Sequence, residues 1–147
     1  MLFVLVGFIT YVINISNDNQ NEFRNLVWLS VTEYGATYYY VINSERTLES
    51  SVGARKKESG IQYVDYMEHV NQKESIKLKK KNFQQILKFA NEVKKSKEKE
   101  VIVDISDSNE IDLYYQGHIY KVNHPVEFES LHNLWKEIER LAPIKPQ

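Results

Sequence analysis

The first fifteen residues, MLFVLVGFITYVINI, constrain this chain most, because they are almost wholly apolar and the first charged side chain is Asp18. A bilayer core of about 30 Å needs about 20 apolar residues in a helix, whereas a run of 10–14 is more typical of a signal sequence or a buried element. Fifteen residues span only ~22 Å of helix. The segment therefore predicts a hydrophobic helix at a membrane, although it is short for a complete span.

The flanks of this segment favour an uncleaved anchor or signal. No Lys or Arg precedes it, and Asn14 occupies the position where a signal cleavage site needs a small residue. After it, Asp18 and Glu22 outnumber Arg24, so the N-terminus should stay inside and the domain should lie outside. We expect a membrane-anchored protein with an extracytoplasmic domain. The alternative is that the same residues form a buried first strand or helix.

The length of the chain, 147 residues, predicts one domain with short flanking segments. Residues 1–15 form a predicted hydrophobic signal or anchor helix, 16–25 a polar linker, 26–143 a single α+β domain and 144–147 a tail. The chain has no cysteine, so it has no disulfide, no thiolate metal site and no cysteine nucleophile. Ten tyrosines favour a folded domain that contains β-strands.

Segments rich in β-branched and aromatic residues predict a mainly antiparallel sheet. Strands are predicted at 26–32, 37–43, 47–54, 75–79, 101–105, 111–115 and 118–122, and 61–70 fits either a strand or irregular structure. The pair Gln116-Gly117 predicts a two-residue hairpin loop. That loop places Leu113 opposite Tyr120 and Asp112 opposite Lys121, where the two charges would form an ion pair.

Two segments carry apolar residues at helical spacing. Asn82 is the predicted N-cap of the first helix, which buries Phe83, Ile86, Leu87, Ala90 and Val93. The second helix is predicted to begin near Pro125, to end before Pro143 and to bury Phe128, Leu131, Leu134, Trp135, Ile138 and Leu141. The predicted fold class is therefore α+β, a mainly antiparallel sheet with two amphipathic helices, preceded by an N-terminal hydrophobic helix.

No motif in the sequence indicates catalysis, and we predict no enzyme activity, no metal site and no cofactor. The chain lacks a nucleophile elbow, a glycine-rich phosphate loop and a Ser-x-x-Lys motif. The acidic residues of 104–112 do not have EF-hand spacing. Glu129 and His132 lie three residues apart on a helix, but a His-Glu-x-x-His motif is missing. A metal-dependent hydrolase is accordingly the third-ranked function.

The candidate binding residues form two groups. Tyr34, Tyr38, Tyr39 and Tyr40 lie in the first predicted hairpin, and tyrosine is enriched at protein interfaces. Lys77, Lys79, Lys80 and Lys81 belong to a basic stretch, 73–99, with ten lysines and three glutamates. That stretch could meet an anionic surface or form an ordinary solvated helix face. No nucleic-acid partner is expected, since the anchored domain would face away from cytosolic nucleic acid.

These features favour a membrane-tethered extracytoplasmic binding domain without catalytic activity, whose partner is a protein or a cell-envelope component. The alternative is a soluble cytosolic interaction or immunity-type protein in which the N-terminal segment is buried. The C-terminal half, with a strand, a hairpin and a closing Leu/Trp helix, resembles in outline many small exported bacterial domains and the emfourin-type metalloprotease inhibitors. No site residue is carried over from that resemblance, and the sequence does not indicate an oligomeric state.

Overall fold

The computed structural model of the protein describes residues 25–56, 67–96, 100–101, 109–123 and 128–146. These residues form seven strands and two helices, in the order β1 to β4, α1, β5 to β7 and α2. The elements are β1 (Asn25–Glu33), β2 (Ala36–Asn43), β3 (Thr47–Arg55), β4 (Met67–Lys77), α1 (Lys80–Lys95), β5 (Glu100–Val101), β6 (Glu110–Tyr115), β7 (His118–Val122) and α2 (Glu129–Leu141). The predicted hydrophobic helix at 1–15 and the linker at 16–24 lie outside the described residues.

All seven strands belong to one sheet, with the order β4-β3-β2-β1-β6-β7-β5. Neighbouring strands from β4 to β7 are antiparallel, and only the two-residue β5 runs parallel to its neighbour β7. The first strand therefore lies inside the sheet, between β2 and β6. Six antiparallel strands and two helices confirm the predicted α+β class at this level.

The hydrophobic core lies between one face of the sheet and the two helices. Val27, Leu29 and Val31 alternate along β1 and are at most 1% exposed. The same face continues through Tyr40, Ile42, Leu48, Ile111, Leu113, Tyr115, Tyr120 and Val122. The helices contribute Ile86, Ala90, Val93, Leu131, Leu134, Trp135 and Ile138 to the same cluster. The predicted buried helix faces are thus confirmed, with Phe83, Leu87 and Leu141 half-buried at their margins.

Three turns fix the register of the sheet. Tyr34-Gly35 and Gln116-Gly117 are two-residue loops in which both residues have positive φ, as type I′ turns require. The second loop pairs Leu113 with Tyr120 and Asp112 with Lys121, as predicted. In the third turn, the Asn43 side-chain oxygen accepts hydrogen bonds from the backbone N–H groups of Glu45 and Thr47, both at 3.0 Å.

The edge strand β4 is longer than the predicted strand 75–79, because it runs from Met67 to Lys77. Most of its side chains are exposed, so backbone hydrogen bonds to β3 hold it without an alternating apolar pattern. Gly53 of β3 permits this pairing at a bulge, since a Cβ there would lie 1.9 Å from the carbonyl oxygen of His69. Of the predicted strand 101–105, only Val101 lies within the described residues.

The predicted start of the first helix was wrong. The first begins at Lys80, and its N-cap residue is Lys79, which makes no side-chain capping hydrogen bond, so Asn82 lies inside the first turn. The second helix is described from Glu129, and its predicted start near Pro125 lies outside the described residues. It ends at Leu141, before Pro143, as predicted. Within the described ranges, neither helix is long and apolar enough to cross a bilayer.

Candidate binding site

The four tyrosines of the first hairpin lie in three different environments. Tyr34 is 99% exposed at the tip of the turn, whereas Tyr40 is completely buried among the core residues. Tyr38 is half-buried against the same core. Tyr39 is half-buried on the opposite face of the sheet, where its ring meets Trp28 edge to face at 5.4 Å. Only Tyr34 offers a fully accessible phenol, and Tyr40 offers no accessible surface.

The exposure of Tyr34 has no structural explanation among its described contacts. The residue has φ of 48°, a left-handed conformation that favours Gly or Asn and costs other residues about 1 kcal/mol. Gln116 has nearly the same φ, 49°, in the other type I′ turn. Its side chain, however, accepts a hydrogen bond from Lys94 Nζ at 2.6 Å and donates one to the Tyr115 hydroxyl at 3.1 Å. Tyr34 makes no comparable contact with a described residue.

A cleft of about 530 Å³ opens beside this hairpin, where β1 ends, β6 begins and the C-terminal part of α2 passes. Its volume lies within the usual range of ligand sites. The cleft is lined by Glu33, Asn109, Trp135, Lys136, Glu139, Arg140, Lys145 and Pro146. Glu33 directly precedes Tyr34, so the exposed phenol and the cleft belong to the same end of the molecule. We call them together the hairpin-end site.

Most charges of the cleft are already paired within α2. Lys136 Nζ lies 2.9 Å from Glu139 Oε2, and Arg140 contacts both carboxylate oxygens of Glu137, at 2.7 and 3.0 Å. Glu33 and Lys145 form no ion pair with a described residue. The cleft therefore has one carboxylate and one ammonium group that are not neutralised by its own walls.

Two polar atoms that are buried in the domain have no hydrogen-bond partner among the described residues. They are the indole Nε1 of Trp135, a residue 5% exposed, and the hydroxyl of the fully buried Tyr40. Burial raises the pKa of the Tyr40 phenol above its ordinary value, and the Glu139 carboxylate, the Tyr38 phenol and the Glu33 carboxylate raise it further.

The predicted lysine group lies at the other end of the sheet. Lys77 ends β4 opposite Thr47, beyond the end of β2 at Asn43, while Tyr34 precedes the start of β2. Eight residues of strand separate the two ends, or about 25 Å. Lys77, Lys79, Lys80 and Lys81 are all exposed around the N-terminus of α1, whose first turn contains no acidic residue. The structure does not bring the tyrosines and lysines together.

The polar groups on the opposite face of the sheet form an ion-pair cluster. Arg55 of β3 contacts Glu110 Oε2 at 2.5 Å and Asp112 Oδ2 at 3.9 Å. The predicted ion pair between Asp112 and Lys121 is therefore wrong, although the two residues are opposite in register. Arg55 provides the positive charge at this position. Within the described ranges, no three His, Asp or Glu side chains are close enough to hold a metal ion.

The sequence analysis named Tyr34 as a candidate binding residue but did not predict the cleft. Glu33, Asn109, Trp135 and Lys145 are far apart in the sequence, and only the antiparallel pairing of β1 with β6 brings the first two together. The local signal was the row of charges on α2, where Lys136 and Glu139 follow Trp135 at helical spacing. No protein-family model, curated protein or solved structure matches this chain.

Proposed function

We propose that the protein is a non-enzymatic binding domain that recognises a protein partner at the hairpin-end site. In this proposal the chain is tethered to a membrane through residues 1–15, the domain is extracytoplasmic, and the partner is a protein of the cell envelope. The uncharged N-terminal segment supports the tether. The exposed phenol of Tyr34 supports the binding role.

Tyr34 is the observation that carries the proposal. A fully exposed tyrosine at positive φ does not stabilise the folded chain through burial, and it lacks the backbone preference of Asn or Gly. Tyrosine does supply a large contact area with few rotatable bonds, and residues of this type dominate the energetics of protein interfaces. The residue at this turn is therefore better explained by a contact outside the chain than by the fold.

The lysines at the start of α1 have a different role in this proposal. They lie about 25 Å from Tyr34, so they would not contact the same small epitope. Exposed charges of this kind change the association rate and its salt dependence more than the final affinity. We therefore assign Lys77, Lys79, Lys80 and Lys81 to long-range attraction of an anionic surface, and Tyr34 to the contact itself.

The test replaces Tyr34 by Asn, which is well suited to a type I′ turn. The variant should be as stable as the original protein, or more stable by up to about 1 kcal/mol, because it relieves the left-handed strain. It should also lose the partner that the original protein recovers from envelope extracts. Thermal melting measures the first effect, and quantitative pulldown of the recovered partner measures the second.

Gln116→Asn is the matched control, since it makes the same exchange of a longer side chain for Asn at the equivalent position of the other turn. This variant should retain the partner, although it loses the contacts to Lys94 and the Tyr115 hydroxyl. Equal recovery by the original protein and Tyr34→Asn would overturn the proposal. Loss of the partner by both variants would also overturn it, because the effect would then not be specific to Tyr34.

A further inference from the structure

We propose that the lysine-bearing side of α1 rests on the anionic lipid surface of the membrane to which the chain is tethered, with the hairpin-end site at the far side of the domain. This inference rests on the proposed membrane tether, names the anionic surface that the lysines meet and adds the orientation of the domain on it. Three observations carry it: the path of α1 across the sheet, the place where the chain enters the domain, and the sign of the charges on α1.

Helix α1 crosses the strands at the end of the sheet where β1 begins. A row of paired residues marks this end on β4, β3, β2, β1 and β6, namely Ile76, Leu48, Ile42, Val27 and Tyr115. Just before α1, the Leu78 N–H donates to the Arg46 carbonyl oxygen at 2.8 Å, in the turn between β2 and β3. One turn before α1 ends, Asn91 Oδ1 accepts a hydrogen bond from the Tyr115 hydroxyl at 2.9 Å. Both ends of α1 therefore lie at the same end of the sheet.

The chain enters the domain at this end. Asn25 is the first residue of β1, and it pairs with Asn43, the last residue of β2. The ten residues of the predicted linker, 16–25, reach at most about 36 Å. A tether at residues 1–15 is therefore attached to the end of the sheet that α1 covers, whereas Tyr34 lies about 25 Å further away. Because tether and lysines belong to one chain, they meet the surface at a high effective concentration.

The side of α1 that faces away from the core carries mostly positive charge. Lys81, Lys88 and Lys95 are exposed and repeat every seven residues, or about two helical turns, so they form one stripe along the helix. We call these three residues the lysine stripe. The exposed residues Lys77, Lys79 and Lys80 extend it at the N-terminal end. The only acidic residue of α1 is Glu92, which lies 4.0 Å from Lys88.

The neighbouring helix α2 has a different charge pattern. Its sequence contains three glutamates and two basic residues. Lys136 pairs with Glu139 and Arg140 with Glu137, so the basic side chains of α2 are neutralised within the helix. The five lysines of α1 have no such set of counter-charges on their own helix. An excess of one sign on one exposed surface attracts a partner of opposite sign.

A lipid surface suits the lysine stripe better than a nucleic acid or a protein epitope does. The helix contains no arginine, the residue that is favoured for specific phosphate and interface contacts. Its two aromatic residues, Phe83 and Phe89, are half-buried against the core, so no exposed ring is available to stack on a base or to anchor a protein. Each lysine near an anionic bilayer strengthens the attraction about fivefold without specific geometry.

The experiment measures which end of the full chain approaches the bilayer. The chain contains no cysteine, so Gln84→Cys on the exposed side of α1 and Tyr34→Cys at the other end each accept one fluorophore. The labelled full chain is reconstituted into vesicles of phosphatidylcholine, or of an equimolar mixture with phosphatidylglycerol, which carry a contact quencher on the lipid headgroup. In the mixture, quenching should be stronger for the label on α1. This excess should disappear in pure phosphatidylcholine and at about 1 M salt, where the screening length is about 3 Å.

Two triple variants with the same change in charge test the assignment. Lys81→Gln, Lys88→Gln and Lys95→Gln together should abolish the excess quenching, because the ratio of docked to undocked domains falls about fivefold per lysine. This variant should fold, since the replacements at the two ends of α1 have opposite effects through the helix dipole. The control replaces by Gln three exposed lysines outside α1, namely Lys73, Lys121 and Lys145. It should retain the excess quenching.

Equal quenching of the two labels in the mixture would overturn the proposal, and so would an excess that persists in the stripe variant or that the control also loses. Stripe-dependent binding of soluble polyglutamate, without approach of α1 to phosphatidylglycerol, would also overturn it and assign the surface to an acidic protein.

Sedimentation of the same vesicles tests the tether separately. A chain that sediments with both vesicles but shows equal quenching would support the tether and refute the docking of α1. A chain that stays in solution with phosphatidylcholine but binds the mixture through the lysine stripe would support the lipid surface and refute the tether. A chain that sediments with neither would refute both.

Discussion

At the scale of single residues, Tyr40 and Tyr115 show how a buried phenol can be satisfied or left unsatisfied. The Tyr115 hydroxyl donates to Asn91 Oδ1 at 2.9 Å and accepts from Gln116 Nε2. The Tyr40 hydroxyl has no partner among the described residues. The sequence could not distinguish them, because both are tyrosines in apolar strands and the difference depends on which helix residue lies above each ring.

The first prediction compares Tyr40→Phe with Tyr115→Phe. Tyr40→Phe should leave the free energy of unfolding at neutral pH unchanged or raise it, since it removes an unpaired buried hydroxyl. Tyr115→Phe should lower it by about 1 kcal/mol, because Asn91 and Gln116 lose a hydrogen-bond partner. Chemical denaturation of the two variants and the original protein measures both changes. A larger loss in Tyr40→Phe than in Tyr115→Phe would contradict the assignment.

The Tyr40→Phe variant should also change how the stability of the protein depends on pH. The pKa of Tyr40 is raised in the folded state from its ordinary value of 10.0. Above that pH the unfolded chain ionises more readily than the folded one, so the original protein loses stability as the pH rises. Tyr40→Phe lacks this contribution, and its stability relative to the original protein should therefore increase from pH 9 to about pH 11.

At the scale of elements, the segments with a strict local pattern were predicted well. The β6–β7 hairpin is an example, because a two-residue Gln116-Gly117 loop allows one register and the alternation of Ile111 and Leu113 selects the buried face. The strand β4 has no such pattern, and it forms because β3 offers it a row of backbone groups. The start of α1 was also missed, because Lys79 lacks a capping side chain and thus gives no sequence signal.

The second prediction concerns the lysines at the two ends of α1. Lys81 lies in the first turn, where the helix dipole is positive, and Lys95 lies in the last turn, where it is negative. Lys81→Glu should stabilise the protein by about 0.3–1 kcal/mol, and Lys95→Glu should destabilise it by a similar amount. Denaturation at low and high salt measures both, and both effects should decrease with salt. Changes of the same sign would show that the dipole is not responsible.

At the scale of the whole molecule, the amphipathic patterns predict two layers, a sheet and a pair of helices. They do not predict which strands are adjacent in the sheet. The sequence contains no signal that pairs β1 with β6, because about 80 residues separate the two strands. Other strands of the sheet could equally have paired with either edge of β1. The cleft depends on that pairing, because it brings Glu33 and Asn109 to the same end of the molecule. The sequence therefore predicted the class of the fold and not the location of the cleft.

The third prediction concerns the independence of the domain from the N-terminal segment. The core between the sheet and the helices consists of side chains from Val27 to Ala142. Deletion of residues 1–20 should therefore leave a chain that melts in one cooperative transition, with equal calorimetric and van't Hoff enthalpies. It should also transfer the protein from the membrane fraction to the supernatant. A shortened chain that sediments with membranes would contradict the tether, and a broad transition would contradict an independent core.

The position of β1 inside the sheet has a consequence for synthesis of the protein. As the chain is synthesised, β2 can pair with one edge of β1, and β3 and β4 can then add to β2 in order. The other edge of β1 pairs with β6, whose last residue is Tyr115. Translation of the 82 residues that follow Glu33, up to Tyr115, takes about 4–16 s at 5–20 residues per second. Throughout that interval the nascent chain presents an open strand edge beside Leu29 and Val31. The speed of the ribosome, and not the rate of strand pairing, thus sets how long this edge must be kept from other chains.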